Sequence, residues 1–186
     1  MTHDVYTLPP DLPAPVDDGA ADHLLGTMLP QLTLESSQGP VSMRELSRER
    51  LVLYVYPRTG RPDRPVPAGW DEIPGARGCT PQSCAFRDHV AELAELGAGI
   101  AGLSTQTLDE QLEFADRNEI PYPVIADPEG RLGRALRLPT FEFDGSALYR
   151  RITLVAEACA IAKVFYPVFP PDKNAEEVVT WLRGRA

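Results

Sequence analysis

Cysteine is scarce in this sequence. Three occur in 186 residues, an odd and small number that excludes a fully paired framework of structural disulfides and makes any disulfide formed here a transient one. Positive charge is also in deficit, with 18 Lys and Arg against 27 Asp and Glu and a net charge of -9. That balance argues against attraction to nucleic acid or to an anionic membrane, so neither is an expected partner. No uninterrupted apolar run is long enough to span a bilayer, and the N-terminus lacks a basic region followed by a hydrophobic one, which leaves the cytoplasm as the expected location. Internal repeats are absent as well. What remains is a chain with 43% hydrophobic residues, enough for one domain with a substantial core and an appendage.

The stretch that stands out is Gly78-Cys79-Thr80-Pro81-Gln82-Ser83-Cys84. It joins an irregular segment to an amphipathic helix whose apolar set Phe86, Val90 and Leu93 recurs at three and four residues. Pro81 fits a helix's first turn, where no amide donor is needed. Cys79 would then lie at the helix N-terminus, where unsatisfied amides favour a thiolate, the nucleophilic form of the side chain. Two residues five apart on a helix point roughly 140° away from each other. A disulfide between Cys79 and Cys84 therefore requires the first turn to unwind, which suggests a cycle of sulfenic acid formation, local melting and condensation. The alternative is that both are small core hydrophobes, as free cysteines often are. A zinc site would want four ligands where this region offers two cysteines and His89, so no metal is expected.

Residues 1–28 are rich in proline and aspartate with little periodicity, and read as an extension that drapes over the domain or stays mobile. The domain proper is placed at 29–186. Leu32 and Leu34 suggest a short strand, and Ser42 the cap of a helical turn with Met43 and Leu46 inward. Leu51 to Tyr56 is too continuously apolar for a half-exposed strand and belongs in a sheet covered on both faces, with Pro57 ending it. Residues 58–78 hold Pro62, Pro65, Pro67 and Pro74, with four glycines and four arginines. They read as a long surface loop, and such loops are functional or disordered. Arg58, Arg61, Arg64 and Arg77 could raise the positive potential around Cys79, Arg77 foremost, or be solvated loop charges.

Gly99 to Ser104 reads as a second central strand. Thr107 to Glu110 is a capping box opening a helix with Leu108, Leu112 and Ala115 inward. Tyr122 to Ile125 is a third strand, followed by the turn Asp127 to Gly130 and a short helix to Leu136. Residues 138–149 show no clear period. Ile152 to Val155 and Ile161 to Phe165 form an antiparallel hairpin with Cys159, taken as structural, near its turn. Asn174 is expected to cap a last helix with Val178, Val179 and Leu182 facing the sheet. The order implies an α/β fold, a central mixed sheet with helices on both faces.

From about Leu29 onward the chain resembles the peroxiredoxins, specifically the bacterioferritin-comigratory or Q-type group. The resemblance rests on Gly78-Cys-Thr-Pro-Gln-Ser-Cys-Ala-Phe-Arg-Asp88, supported by Leu51 to Pro57, Gly102 to Ser104, Pro121 to Pro123, Ala126 to Pro128 and Arg151 to Val155. It implies a thioredoxin-like fold, with Cys79 as the peroxidatic cysteine, Cys84 as the resolving cysteine and Arg151 stabilising thiolate and peroxide. A guanidinium suits that role because its fixed donors reach both sulfur and oxygen. Arg150 is the neighbour that would face the other way on a strand. Pro57, Gly78 and Thr80 are the remaining candidates for contact with substrate. Two positions depart from the family pattern: Ala76 stands where a Thr or Ser is usual, and Glu72 where a proline is usual. Either Thr59, Thr80 or a backbone amide is then expected to supply the missing contact, or peroxide activation is weaker than is typical of the family.

The implied activity is a thiol-dependent peroxidase of the atypical two-cysteine kind. It would reduce hydrogen peroxide or organic hydroperoxides without metal or prosthetic group and be recycled by a dithiol donor such as thioredoxin. A monomer is expected, since the cysteine pair needs no second chain. The rival is a redox-responsive binding protein with little turnover, separated from the first by sustained thioredoxin-coupled peroxide consumption. A disulfide oxidoreductase is disfavoured by the five-residue spacing.

Overall fold

In the computed structural model residues 4–185 are described; Met1 to His3, the first residues of the expected extension, and Ala186 lie outside them. The chain runs through β1 (Thr33–Ser36), β2 (Val41–Ser42), α1 (Met43–Leu46) and β3 (Arg50–Val55). After the long loop come α2 (Cys79–Asp88), α3 (Val90–Glu95), β4 (Gly99–Ser104), α4 (Leu108–Arg117), β5 (Val124–Ala126) and α5 (Arg131–Leu136). The hairpin β6 (Thr140–Phe143) and β7 (Ser146–Tyr149), the hairpin β8 (Ile152–Glu157) and β9 (Ala160–Phe165), and α6 (Asn174–Arg183) complete it.

Seven strands form one mixed sheet in the order β2-β1-β5-β4-β3-β8-β9. β3, β4 and β5 are parallel, while β8 pairs antiparallel with β3, Val55 opposite Ile152. β3 is central because its side chains find apolar partners on both faces. Leu51, Leu53 and Val55 join Leu29, Met43, Leu132 and Leu154 on one side. Val52, Tyr54 and Tyr56 join Phe86, Leu93, Phe114 and Val178 on the other. Burying a side chain of this size contributes about 1.5–3 kcal/mol, which outweighs the lack of alternation in the run. α2, α3, α4 and α6 therefore cover one face, and α1, α5 and the segment before β1 cover the other. Gly102 on β4 is required by this packing: a Cβ there would lie 2.8 Å from the ring of Tyr54. The parallel strands point their C-terminal ends at the loop that follows β3, the side from which α2 starts.

Several local expectations meet their partners. Ser42 Oγ accepts from the Glu45 amide and caps α1. Thr107 and Glu110 form the reciprocal capping box of α4. Others are corrected. α4 turns Gln111, Phe114 and Ala115 inward while Leu112 is exposed. The reason is polar: Gln111 Nε2 donates to Ser104 Oγ and to the Ile125 carbonyl, and Oε1 accepts from Tyr56 Oη. Asn174 is not a cap; Lys173 occupies that position and Asn174 is fully buried in the first turn of α6. The aperiodic stretch 138–149 is the hairpin β6–β7, closed by Asp144 at φ 51 and Gly145 at φ 72, the backbone a two-residue primed turn demands.

The extension does not end where composition changes. Ala21 and Leu24 are buried in the main core, and the Gly26 and Leu29 amides donate to the carbonyls of Ile161 and Cys159. The loop 58–78 has an apolar cluster of its own. Trp70, in a short 3-10 turn, packs with Ala76 against Leu148, edge-on to Phe143. The β6–β7 hairpin is the platform for that loop, which is why its apolar residues follow no single-sheet period.

Candidate active site

Cys79 is the first residue of α2, and Gly78 is its N-cap at φ +102. Glycine is needed there twice over. Its dihedral is one that other residues rarely adopt, and a Cβ would lie 2.4 Å from Pro171 and 2.7 Å from Leu8. The turn delivers the Cys79 sulfur to the guanidinium of Arg151, which lies between β7 and β8. Arg151 Nη2 donates to Cys79 Sγ at 3.2 Å. Both residues are nearly inaccessible, at 2% and 3% exposure. In its protonated form the same sulfur donates weakly to the Ala76 carbonyl at 3.7 Å.

A buried guanidinium is costly unless its donors are satisfied. Here Arg151 Nε donates to the Gly75 carbonyl, Nη2 also to the carbonyls of Ala76 and Arg77, and Nη1 to Gln82 Oε1. Gln82 Nε2 donates in turn to Asn174 Oδ1, which also accepts from Thr153 Oγ1. The end of the loop, the first turn of α2, β8 and α6 thus converge on one cation, fixing its position and placing a positive charge beside the sulfur. Arg150 points away, donating to the Thr140 carbonyl and lying near Asp18.

Cys79 opens onto a cavity of about 270 Å³, also lined by Thr80, Gly78, Thr59, Gln106 and Trp70. Of the candidates for the missing hydroxyl, Thr59 is committed elsewhere, since its amide and Oγ1 both donate to Gln106 Oε1. Thr80 lines the cavity beside the sulfur, 2% exposed, and its hydroxyl makes no hydrogen bond among the described residues. Pro57 is buried at the end of β3 and does not line the cavity. All four loop arginines border it. Arg77, the one nearest in sequence, turns its guanidinium to Asp71 and to the Asp4 carbonyl rather than to Cys79.

Cys84 belongs to a different environment. It is half-buried on another side of α2, its thiol directed at Asn118 Oδ1 at 3.8 Å, and none of the three cysteines is bonded to another. Burial pushes the Cys84 thiol up, against a smaller opposing influence of Arg87. The turn between the two sulfurs is pinned. Tyr122 Oη donates to the Ser83 carbonyl at 2.9 Å and lies 3.1 Å from Tyr54 Oη, and the Tyr54 ring stacks on Phe86. Burial raises both tyrosine hydroxyls, which keeps them protonated and able to donate. Cys159 lies far from both, its thiol on the Arg44 carbonyl. Among the described residues no group of three or more His, Cys, Asp or Glu side chains is arranged to hold a metal ion.

From sequence, Gln82, Gln106 and Val5 are not assigned to the site, and Asn174 reads only as a helix cap. Gln82 alone carried a usable signal: it is one helical turn after Cys79, on a face that must be inward if Cys79 is.

The family pattern described as Redoxin matches residues 24–179. A chloroplastic peroxiredoxin Q of Gentiana triflora is 28% identical over 160 residues, 86% of this chain and 66% of that protein. Peroxiredoxin bcp1 of Schizosaccharomyces pombe is 29% identical over 129 residues, 67% of this chain and 58% of that one. The chain thus spans about two thirds or less of these two relatives' length. Among solved structures, peroxidoxin BcpB of Mycobacterium tuberculosis superposes with a TM-score of 0.69 at 24% identity, covering 87% of this chain and 97% of the other. Xanthomonas campestris peroxiredoxin Q superposes at 0.67 and 20% identity, covering 95% and 99%.

Proposed function

The chain belongs to the Redoxin family, and from that premise we propose that it is a thiol peroxidase that reduces hydrogen peroxide or organic hydroperoxides through Cys79. The observation that carries the reading is the Cys79 sulfur at a helix N-terminus, 3.2 Å from a buried, fully braced guanidinium and open to a cavity. The Cys79 thiolate attacks the nearer peroxide oxygen. An S–O bond forms, the O–O bond breaks, and the departing hydroxide or alkoxide takes up a proton to leave as water or alcohol. Arg151 donates to the sulfur beforehand and is placed to donate to oxygen as charge moves onto it. Thr80 faces the same space with a hydroxyl to give, in place of the one that Ala76 lacks.

Resolution uses Cys84. Once the first turns of α2 open, its sulfur attacks the Cys79 sulfenic acid, the S–S bond forms, and the hydroxyl leaves as water after gaining a proton. A dithiol donor of the thioredoxin type then reduces the disulfide by exchange, itself becoming a disulfide. Both sulfurs lie on one helix, so a single chain suffices and gel filtration is expected to give a monomer. Free thiols and a dithiol donor suit the reducing conditions of the cytoplasm.

Stopped-flow oxidation tests the reading. The wild type should lose two thiols per peroxide and Cys84→Ser should stop at a trappable sulfenic acid. A Cys79→Ser variant that still reacts at the wild-type rate would sink the proposal. Sustained peroxide consumption with thioredoxin and its reductase separates an enzyme from a sensor that is oxidised once.

A further inference from the structure

The lining of the Cys79 cavity includes Val5, which precedes the stretch that the family pattern covers. Asp4 Oδ1 accepts from the amides of Tyr6 and Thr7, a local turn that fixes the course of the segment. One flank is tied to the loop before α2, where Arg77 Nη2 donates to the Asp4 carbonyl at 3.1 Å. The other is tied to α4, where Arg117 Nη1 donates to Tyr6 Oη at 3.3 Å and Nη2 to the Gly60 carbonyl. The segment therefore bridges the cavity mouth between two arginines. Leu8 continues it onto Gly78, next to Cys79. Tyr6 is half exposed, but Val5 between these ties is 7% exposed and lines the cavity, against Gly60, where a Cβ would come within 3.1 Å of Val5 Cγ1.

The same cavity is also lined by Trp70, Val66 and Pro67. Val5 is held inward by a local turn and two arginine bonds, and it shares the cavity lining with apolar groups of the loop 58–78. Bare hydrogen peroxide has no use for such a surface.

We propose that Val5 is a specificity-determining residue of the peroxide site: with Val66 and Trp70 it forms an apolar wall against which the organic part of an alkyl or aryl hydroperoxide packs. The inference rests on the peroxidase reading and adds to it the element that selects among peroxides. The N-terminal segment is thereby part of the site.

The experiment uses the full chain and its Val5→Ala and Val5→Trp variants. The second-order rate of Cys79 oxidation is followed by intrinsic fluorescence, first with cumene hydroperoxide and then with hydrogen peroxide. Val5→Ala shortens the wall and should lower the cumene hydroperoxide rate roughly fivefold, as expected for lost methyl contacts. Val5→Trp fills the cavity and should lower it by about tenfold or more. The hydrogen peroxide rate should fall by clearly less than the cumene hydroperoxide rate in both, with circular dichroism reporting an intact fold. A ratio of the two rates unchanged in both variants, an equal fall for both peroxides, or a faster cumene hydroperoxide reaction in Val5→Ala would overturn the inference alone. A wild-type Cys79 that reacts with neither peroxide would overturn the peroxidase reading itself.

Discussion

Cys79 and Cys84 are carried by one helix and live under opposite rules. The first is nearly inaccessible, yet it has a cation at 3.2 Å, helix amides beneath it and a cavity in front. The second is more accessible, has only a side-chain amide oxygen at 3.8 Å, and is held toward its neutral form by burial. On the proposed reading the less accessible sulfur is the one that reacts. What separates the two is a guanidinium beside the first and burial without one beside the second. The pinned turn between them keeps the two environments apart.

The strongest way to break the contrast is to remove its charge. Arg151→Met should slow Cys79 oxidation by about a hundredfold or more, measured by stopped flow. It should also cost roughly 3 kcal/mol in chemical denaturation, because Gln82 and three carbonyls lose their donor. The Cys84 thiol should alkylate at an unchanged rate.

Next in size is the brace behind the guanidinium. Gln82→Leu should slow oxidation by about tenfold, whereas Gln82→Glu, which keeps an acceptor for Arg151, should retain most of the rate. Equal losses in the two variants would show that Gln82 serves packing rather than positioning.

On the Cys84 side the contrast can be sharpened with pH. Burial pushes the Cys84 thiol up in the closed helix, and exposure on opening is expected to relieve it. Below the ordinary thiol value, about 8.5, both forms bind the proton and opening is indifferent to pH. As pH rises beyond it, the opened form ionises first, so the stability that burial of the neutral thiol lends the closed turn is progressively lost. Disulfide closure after peroxide addition, followed by quenched-flow thiol counting, should therefore accelerate over that range. The closing phase should be absent at every pH in Cys84→Ser.

The smallest expected effect lies at the pin itself. Tyr122→Phe removes the donor to the Ser83 carbonyl, worth about 1 kcal/mol. It should speed closure a few-fold by favouring the opened turn, leaving the Cys79 oxidation rate untouched. Faster amide exchange at Ser83 and Cys84 would accompany it.

Much of this was legible in the chain. The run from Leu51 to Tyr56 identified the central strand because only a strand covered on both faces accepts six consecutive apolar side chains. The cysteine motif marked the helix start. Other features misled. Leu108 and Leu112 suggested the inner face of α4, but Gln111 took it because Ser104, Ile125 and Tyr56 offered its amide a full set of partners. Asn174 looked like a cap and is instead the far end of the Arg151 brace. The Asp144-Gly145 turn was readable as a hairpin signal, hidden by flanking strands that pack on a loop rather than on a sheet.

Sequence alone determined much of what neighbours along the chain decide: where most strands and helices lie, the caps at Ser42 and Thr107, and that a helix begins at Cys79. Those outcomes follow from steric limits and hydrogen bonds spanning a few residues. Only the tertiary structure decided which distant groups meet, bringing Arg151 to a sulfur 72 positions away, Gln82 to Asn174, and Val5 to the wall of the cavity. Such meetings depend on how the sheet stacks its layers, and on most buried polar groups finding a partner wherever the fold supplies one, Ser83 Oγ and Asn174 Nδ2 being exceptions among the described residues.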